Sequence, residues 1–211
     1  CISRLNFTIL RNLLPMLRSL LMIDEEIKFS RNFCRSHIID MIRFNLTQSV
    51  LSTEKTRQIM DEVVGFLQVI SVSNPRTAFS ELSFVQLLKD LLIVNEYAEI
   101  LLPCFKTGLL TTDEKCVTNI LQNIALIVVQ ATEDGNYVSI ANRSILILSE
   151  IMNSLAKKSL KEYEDNHIFE LISKFPSASK TRESLVIALK FFLNVCLKFN
   201  SYIQMFSDIL V

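Results

Sequence analysis

Apolar residues recur along this chain at steps of three and four, the spacing of one face of an α-helix, and they do so in blocks separated by short polar or Pro-containing stretches. The spacing predicts a long first helix from about Leu5 to Ile23, kinked near Leu14 by Pro15. A short helix through Cys34 follows, then a medium one from His37 to Leu46. A second long helix is expected from about Glu54 to Val72, stopped by Asn74-Pro75. Thr77 to Leu82 is read as a short helix and Phe84 to Val94, capped by Ser83, as a medium one. Tyr97 to Leu102 is an extra helix, broken at Pro103 and stopped at Gly108. A capping box formed by Thr111 and Glu114 opens the third long helix, which runs to Thr132. Its segment from Ile124 to Val129 is apolar all round and is expected to be buried on every side. Short Tyr137 to Ala141 and medium Arg143 to Ser154 come next. The charged stretch Lys157 to Asp165 leads, with Asp165-Asn166 as cap, into a helix from His167 to Phe175 that ends at Pro176. Ser177-Ala178-Ser179 is read as a connector, Arg182 to Phe199 as the last long helix behind Thr181, and Tyr202 to Val211 as the closing element.

The long helices share a core. Ile120-Leu121-Gln122-Asn123-Ile124 places two apolar residues, any residue, an Asn and another apolar residue in a row. Ile9-Leu10-Arg11-Asn12-Leu13 and Phe191-Phe192-Leu193-Asn194-Val195 repeat it, and Ile59-Met60-Asp61-Glu62-Val63 repeats it with Glu in the polar place. Self-similarity at intervals of roughly 50 to 70 residues is the mark of stacked helical units. The expected organisation is one all-α domain over 1–211, an α-solenoid of about four irregular units at 1–50, 54–107, 111–156 and 160–211.

The succession of short, medium and long helix, with that Asn-bearing core in the long one, resembles the armadillo repeat family, with HEAT repeats as near relatives. The resemblance covers nearly the whole chain and implies a right-handed superhelix serving as a protein-binding scaffold. In the family the Asn faces a concave groove and holds the backbone of an extended ligand; the matching positions here are Asn12, Asn123 and Asn194. Glu62 departs from the pattern, and the position four before each Asn, often Trp in groove-forming members, holds Thr8, Asn119 and Lys190, with Gln58 before Glu62. An Asn at the edge of an apolar face also serves to bond a neighbouring backbone, and that reading stands beside the groove role.

With 50% apolar residues and only three Gly and four Pro in 211 residues, composition favours a helical chain with a sizeable core. No apolar run approaches the roughly 18 residues of a membrane span. The chain opens on Cys1 and closes on Asp208-Ile209-Leu210-Val211, so it is expected to be a fragment of a longer polypeptide. Five scattered cysteines and two histidines, His37 and His167, offer neither a disulfide framework nor a zinc site. Free thiols point to a reducing compartment, cytoplasmic or nuclear. Glycosylation triplets at Asn6, Asn45 and Asn142 fall within helical patterns and are discounted. Phosphate-cradling glycine motifs are absent, and no residue stands out as a nucleophile or base, so a non-enzymatic chain without cofactor or metal is expected.

Net charge is zero, but 1–57 carries +4, 58–156 carries −6 and 157–211 carries +2. This is too weak to argue for nucleic acid, and the acidic middle would draw a basic peptide. The partner-binding residues expected are Asn12, Asn123 and Asn194, with Arg11, Gln122 and Lys190 beside them as a polar ladder, and the partner is a peptide or helix of another protein. At about 100° per residue, Val186, Leu193 and Leu197 fall off the main face formed by Ile187, Phe191, Phe192, Val195 and Phe199. With Ile209-Leu210-Val211 they form an uncovered apolar end expected to self-associate or to take up a helix. The alternative from another class is a closed helical bundle holding a small apolar ligand or lipid, suggested by fourteen Phe.

Overall fold

The computed structural model describes residues 54–111, 113–155 and 157–207, together with Asn12, Pro15, Met16, Ser19, Asn32, Ile39, Ile42 and Arg43. Among these residues the chain is all-helical, with no strand. It divides into two compact units, Cys1–Gly108 and Leu109–Val211, with the boundary between the second and third predicted repeats.

In the first unit, α1 (Glu54–Ser73) buries Met60, Val63, Val64, Leu67 and Ile70, the stripe that the spacing predicts, and Phe66 beside it. Pro75 then opens α2 (Pro75–Phe79), where its missing N–H leaves no helical bond unmade. α3 (Leu82–Leu91) starts behind Glu81, whose backbone is extended, so Ser83 lies inside the helix and does not cap it. Phe79 joins the elements: its ring meets Phe84 of α3 edge-on and Phe105 of α4 (Asn95–Leu109) at a tilt, both with centroids 6.1 Å apart. α4 runs straight through Pro103, contrary to the expected break. Pro103 is exposed, whereas Leu101, Leu102, Cys104, Phe105 and Leu109 are buried on either side of it, and that burial outweighs one lost backbone bond. The helical residues Asn12, Pro15, Met16 and Ser19, and Ile39, Ile42 and Arg43, lie within the helices predicted there; the expected kink at Leu14 lies outside the described residues.

The second unit opens with α5 (Glu114–Glu133), capped by Asp113, whose carboxylate accepts from the Cys116 amide at 3.3 Å. Thr111 is therefore not the cap, and its hydroxyl is buried without a hydrogen-bond partner among the described residues. A 3-10 turn, Gly135–Tyr137, leads into α6 (Val138–Ile151), one helix where two were predicted, and a second 3-10 turn, Met152–Ser154, ends it. The charged stretch forms α7 (Lys157–Asp165), anchored by fully buried Leu160 and Tyr163. α8 (Ile168–Ser179) begins after His167, not on an Asp165-Asn166 cap, and it carries Pro176 and the supposed connector within it. α9 (Arg182–Lys198), a 3-10 turn at Asn200–Tyr202 and α10 (Ile203–Ser207) complete the unit. α5 packs against α6 and α8, and α9 packs against the same two helices, so the four longest helices close a ring of contacts around the core.

Candidate protein-binding face

The geometry of α9 starts at its cap. Thr181 holds an extended backbone and its hydroxyl accepts from the Ser184 amide at 3.2 Å, which fixes the first turn. Ser184, fully buried, then donates to Asn142 Oδ1 of α6 at 2.8 Å. Ten residues on, Asn194 Nδ2 donates to the carbonyl and the hydroxyl of Ser149, also on α6, at 3.2 and 2.8 Å. At the C-terminal end, Lys198 Nζ donates to the Asn153 carbonyl. Three polar ties thus fix the rotation and register of α9.

Between the ties, Ala188, Phe191, Phe192 and Val195 are buried. Phe191 and Phe192 belong to an aromatic cluster: Phe192 lies 4.6 Å from Phe206 of α10, Phe191 6.0 Å from Phe169 of α8, and Phe169 5.4 Å from Phe206. Burying each of these rings contributes roughly 1.5–3 kcal/mol. Ile187 and Phe199, expected on the inner face, sit half-buried at its edges.

With that rotation fixed, the other side of α9 faces away from the core. Leu185, Val186, Leu189, Leu193 and Leu197 are all exposed, from 42% at Leu189 to 72% at Leu197. At about 100° per residue they form one stripe roughly 120° wide along the helix, with Arg182 at one end of the stripe and half-buried Cys196 along its edge. The inner and outer apolar faces together leave only a narrow polar arc, carrying Glu183, Lys190, Asn194 and Lys198. A helix apolar over most of its circumference is ordinarily covered on both sides. Val186, Leu193 and Leu197 stand where the sequence places them; Leu185 and Leu189 complete the stripe.

The expected polar ladder is distributed differently. Asn12 is exposed on its helix, Arg11 lies outside the described residues, and Gln122 and Lys190 are exposed. Asn123 is 1% exposed: its Nδ2 donates to the Asn119 carbonyl one turn back at 2.8 Å, and its Oδ1 has no partner among the described residues. Asn194 faces α6. Within the second unit, Asn123 and Asn194 therefore do not share a wall, since α5 and α9 are joined through α6 and α8. The run from Ile124 to Val129 is also only partly enclosed, with Leu126 and Val129 on the exposed side of α5 that carries Gln122.

Among the described residues no three His, Cys, Asp or Glu side chains gather as metal ligands, and no helix is long and apolar enough to cross a membrane. Nine phenylalanines, Phe66, Phe79, Phe84, Phe105, Phe169, Phe175, Phe191, Phe192 and Phe206, fill the cores of the two units. Comparison with family models, with curated proteins and with solved structures finds no match to this chain.

Proposed function

We propose that this chain is a non-catalytic, intracellular protein-interaction scaffold built of armadillo/HEAT-like helical units, and that the outer face of α9 is where it receives a helix of a partner protein. The observation that carries this reading is the exposed stripe of Leu185, Val186, Leu189, Leu193 and Leu197 on a helix whose rotation is locked by three polar ties. An apolar stripe of this length on a rigid support is what helix-in-groove recognition uses, with anchors at i, i+4 and i+7. The repeat reading is supported by the order of α7, α8 and α9, which are 9, 12 and 17 residues long and so run short, medium, long. Because Asn123 is buried and Asn194 is bonded to Ser149, the binding role moves from the Asn ladder to the leucine stripe, with Lys190 and Leu197 retained.

The test is affinity capture with the intact chain and with Leu193→Glu and Leu197→Glu, read by mass spectrometry. Both leucines are exposed, so the variants keep the fold. Partners held by the parent chain and lost from both variants support α9 as the docking face; partners retained by both overturn it.

A further inference from the structure

We infer that the occupant of the α9 face is an acidic amphipathic helix, one that sets apolar residues into the leucine stripe and carries Asp or Glu along its flanks. This rests on the docking role proposed for α9 and adds the chemistry of what docks. The charges around the stripe decide it. Arg182 stands in line with the stripe at its N-terminal end, exposed Lys180 lies just ahead of it, and Lys190 borders its middle, while Lys198 is turned away toward the Asn153 carbonyl. Glu183 is the one acid on α9. The face is therefore apolar along its centre and basic at its N-terminal end and along the Lys190 edge, which rewards an apolar helix with acidic flanks and penalises a basic one.

Charge also argues against a second copy of this chain as the occupant. Pairing two α9 stripes antiparallel about their middle sets the two Lys190 ammonium groups on the same edge of the seam, within about one turn of each other. Like charges so placed disfavour association, while the same cations each find a carboxylate on an acidic helix.

The chain contains no Trp, so a single Trp placed in a probe peptide reports binding without background. The probes are three amidated helical peptides of identical Leu pattern and one Trp, with flanking positions all Glu, all Lys or all Gln. The expected result is that the Glu peptide binds best, the Lys peptide worst, and that added salt narrows the difference. Lys190→Glu weakens the Glu peptide about fivefold and improves the Lys peptide. Leu193→Glu removes binding of all three, and the Glu peptide slows alkylation of Cys196, the half-buried thiol beside the stripe.

If all three peptides bind equally and Lys190→Glu changes nothing while Leu193→Glu still abolishes binding, the acidic partner is wrong and the docking face stands. Binding that survives Leu193→Glu sinks both. Should light scattering show a dimer that Leu193→Glu dissociates, the occupant is a second copy and the inference is overturned.

Discussion

Asn194 of α9 gives both hydrogens' worth of its amide to Ser149 of α6, at 3.2 Å to the carbonyl and 2.8 Å to the hydroxyl. The Ser149 side chain is buried, so removing the amide leaves its hydroxyl short of a partner. Asn194→Ala is expected to lower stability by about 1–2 kcal/mol, read as a shift in urea midpoint, while Asn194→Gln recovers part of the loss only where the longer amide still reaches. An unchanged midpoint would return Asn194 to the groove-facing role that the resemblance to armadillo repeats implies.

Phe192 and Leu193 are adjacent in sequence and opposite in consequence. Phe192 is 2% exposed and packs on Phe191 and Phe206, whereas Leu193 is 58% exposed. Phe192→Ala is expected to cost about 3–5 kcal/mol, and Leu193→Ala to stay within about 0.5 kcal/mol of the parent. Thermal melts of the two variants check the assigned rotation of α9. Equal losses would mean that the helix is turned differently.

How much of this was legible follows the range of the forces involved. The long helices are readable because the three-and-four spacing of Met60, Val63, Val64, Leu67 and Ile70, or of Ile120, Ile124 and Ile127, is local information. Pro103 and Pro176 read as helix ends from sequence, yet both lie inside helices: Pro103 has buried neighbours on both sides and Pro176 follows buried Phe175, and burial is a property of the fold. α7 is hard to read from sequence because, among its described side chains, the buried ones are Leu160 and Tyr163, set among charges. At the candidate site, the sequence shows that α9 has apolar residues on two arcs. Which arc turns inward is decided by Ser184 meeting Asn142 and Asn194 meeting Ser149, partners more than 40 residues away.

Lys180 ends α8 in the left-handed conformation, at φ 54° and ψ 26°. That conformation crowds Cβ against the backbone, and Gly occupies it without this penalty. Lys180→Gly is therefore expected to stabilise the chain by about 0.5–1 kcal/mol, part of the relief being offset by the greater freedom of Gly when unfolded. Chemical denaturation of the variant measures it. Destabilisation would show that the Lys180 side chain contributes packing or charge that outweighs the backbone term.

Arg43 ties the segment of Ile39 and Ile42 to α3 by two bonds, from Nε to Asp90 Oδ2 at 3.0 Å and from Nη1 to Gln86 Oε1 at 2.8 Å. The pair is half-buried, where a charge-assisted bond is stronger than on an open surface. Arg43→Met, which keeps the stem and removes both bonds, is expected to cost about 1–2 kcal/mol. A double variant with Asp90→Asn should then cost less than the sum of the two singles, which is the signature of a direct pair.

The first unit also carries a pH dependence of definite sign. Tyr97 is held up to about 12, chiefly by burial and then by the hydrogen bond it donates to Asp61 Oδ1 at 3.0 Å, with the Asp61 charge adding to it. Burial likewise pushes the Cys104 thiol up to about 11. Both groups bind their protons more tightly folded than unfolded, where they titrate near 10 and near 9. Their contribution to stability is therefore complete below about pH 9 and is lost as pH rises, first through Cys104 and then through Tyr97 as it approaches 12. The urea midpoint should accordingly fall from about pH 9 upward. Cys104→Ala should flatten the lower part of that decline and Tyr97→Phe the upper part, at the cost of about 1 kcal/mol at neutral pH for the lost bond to Asp61. Asp61→Asn should shift the upper limb to lower pH by removing the carboxylate that opposes a phenolate, and a limb that stays in place in both Tyr97→Phe and Asp61→Asn would show that Tyr97 does not set it.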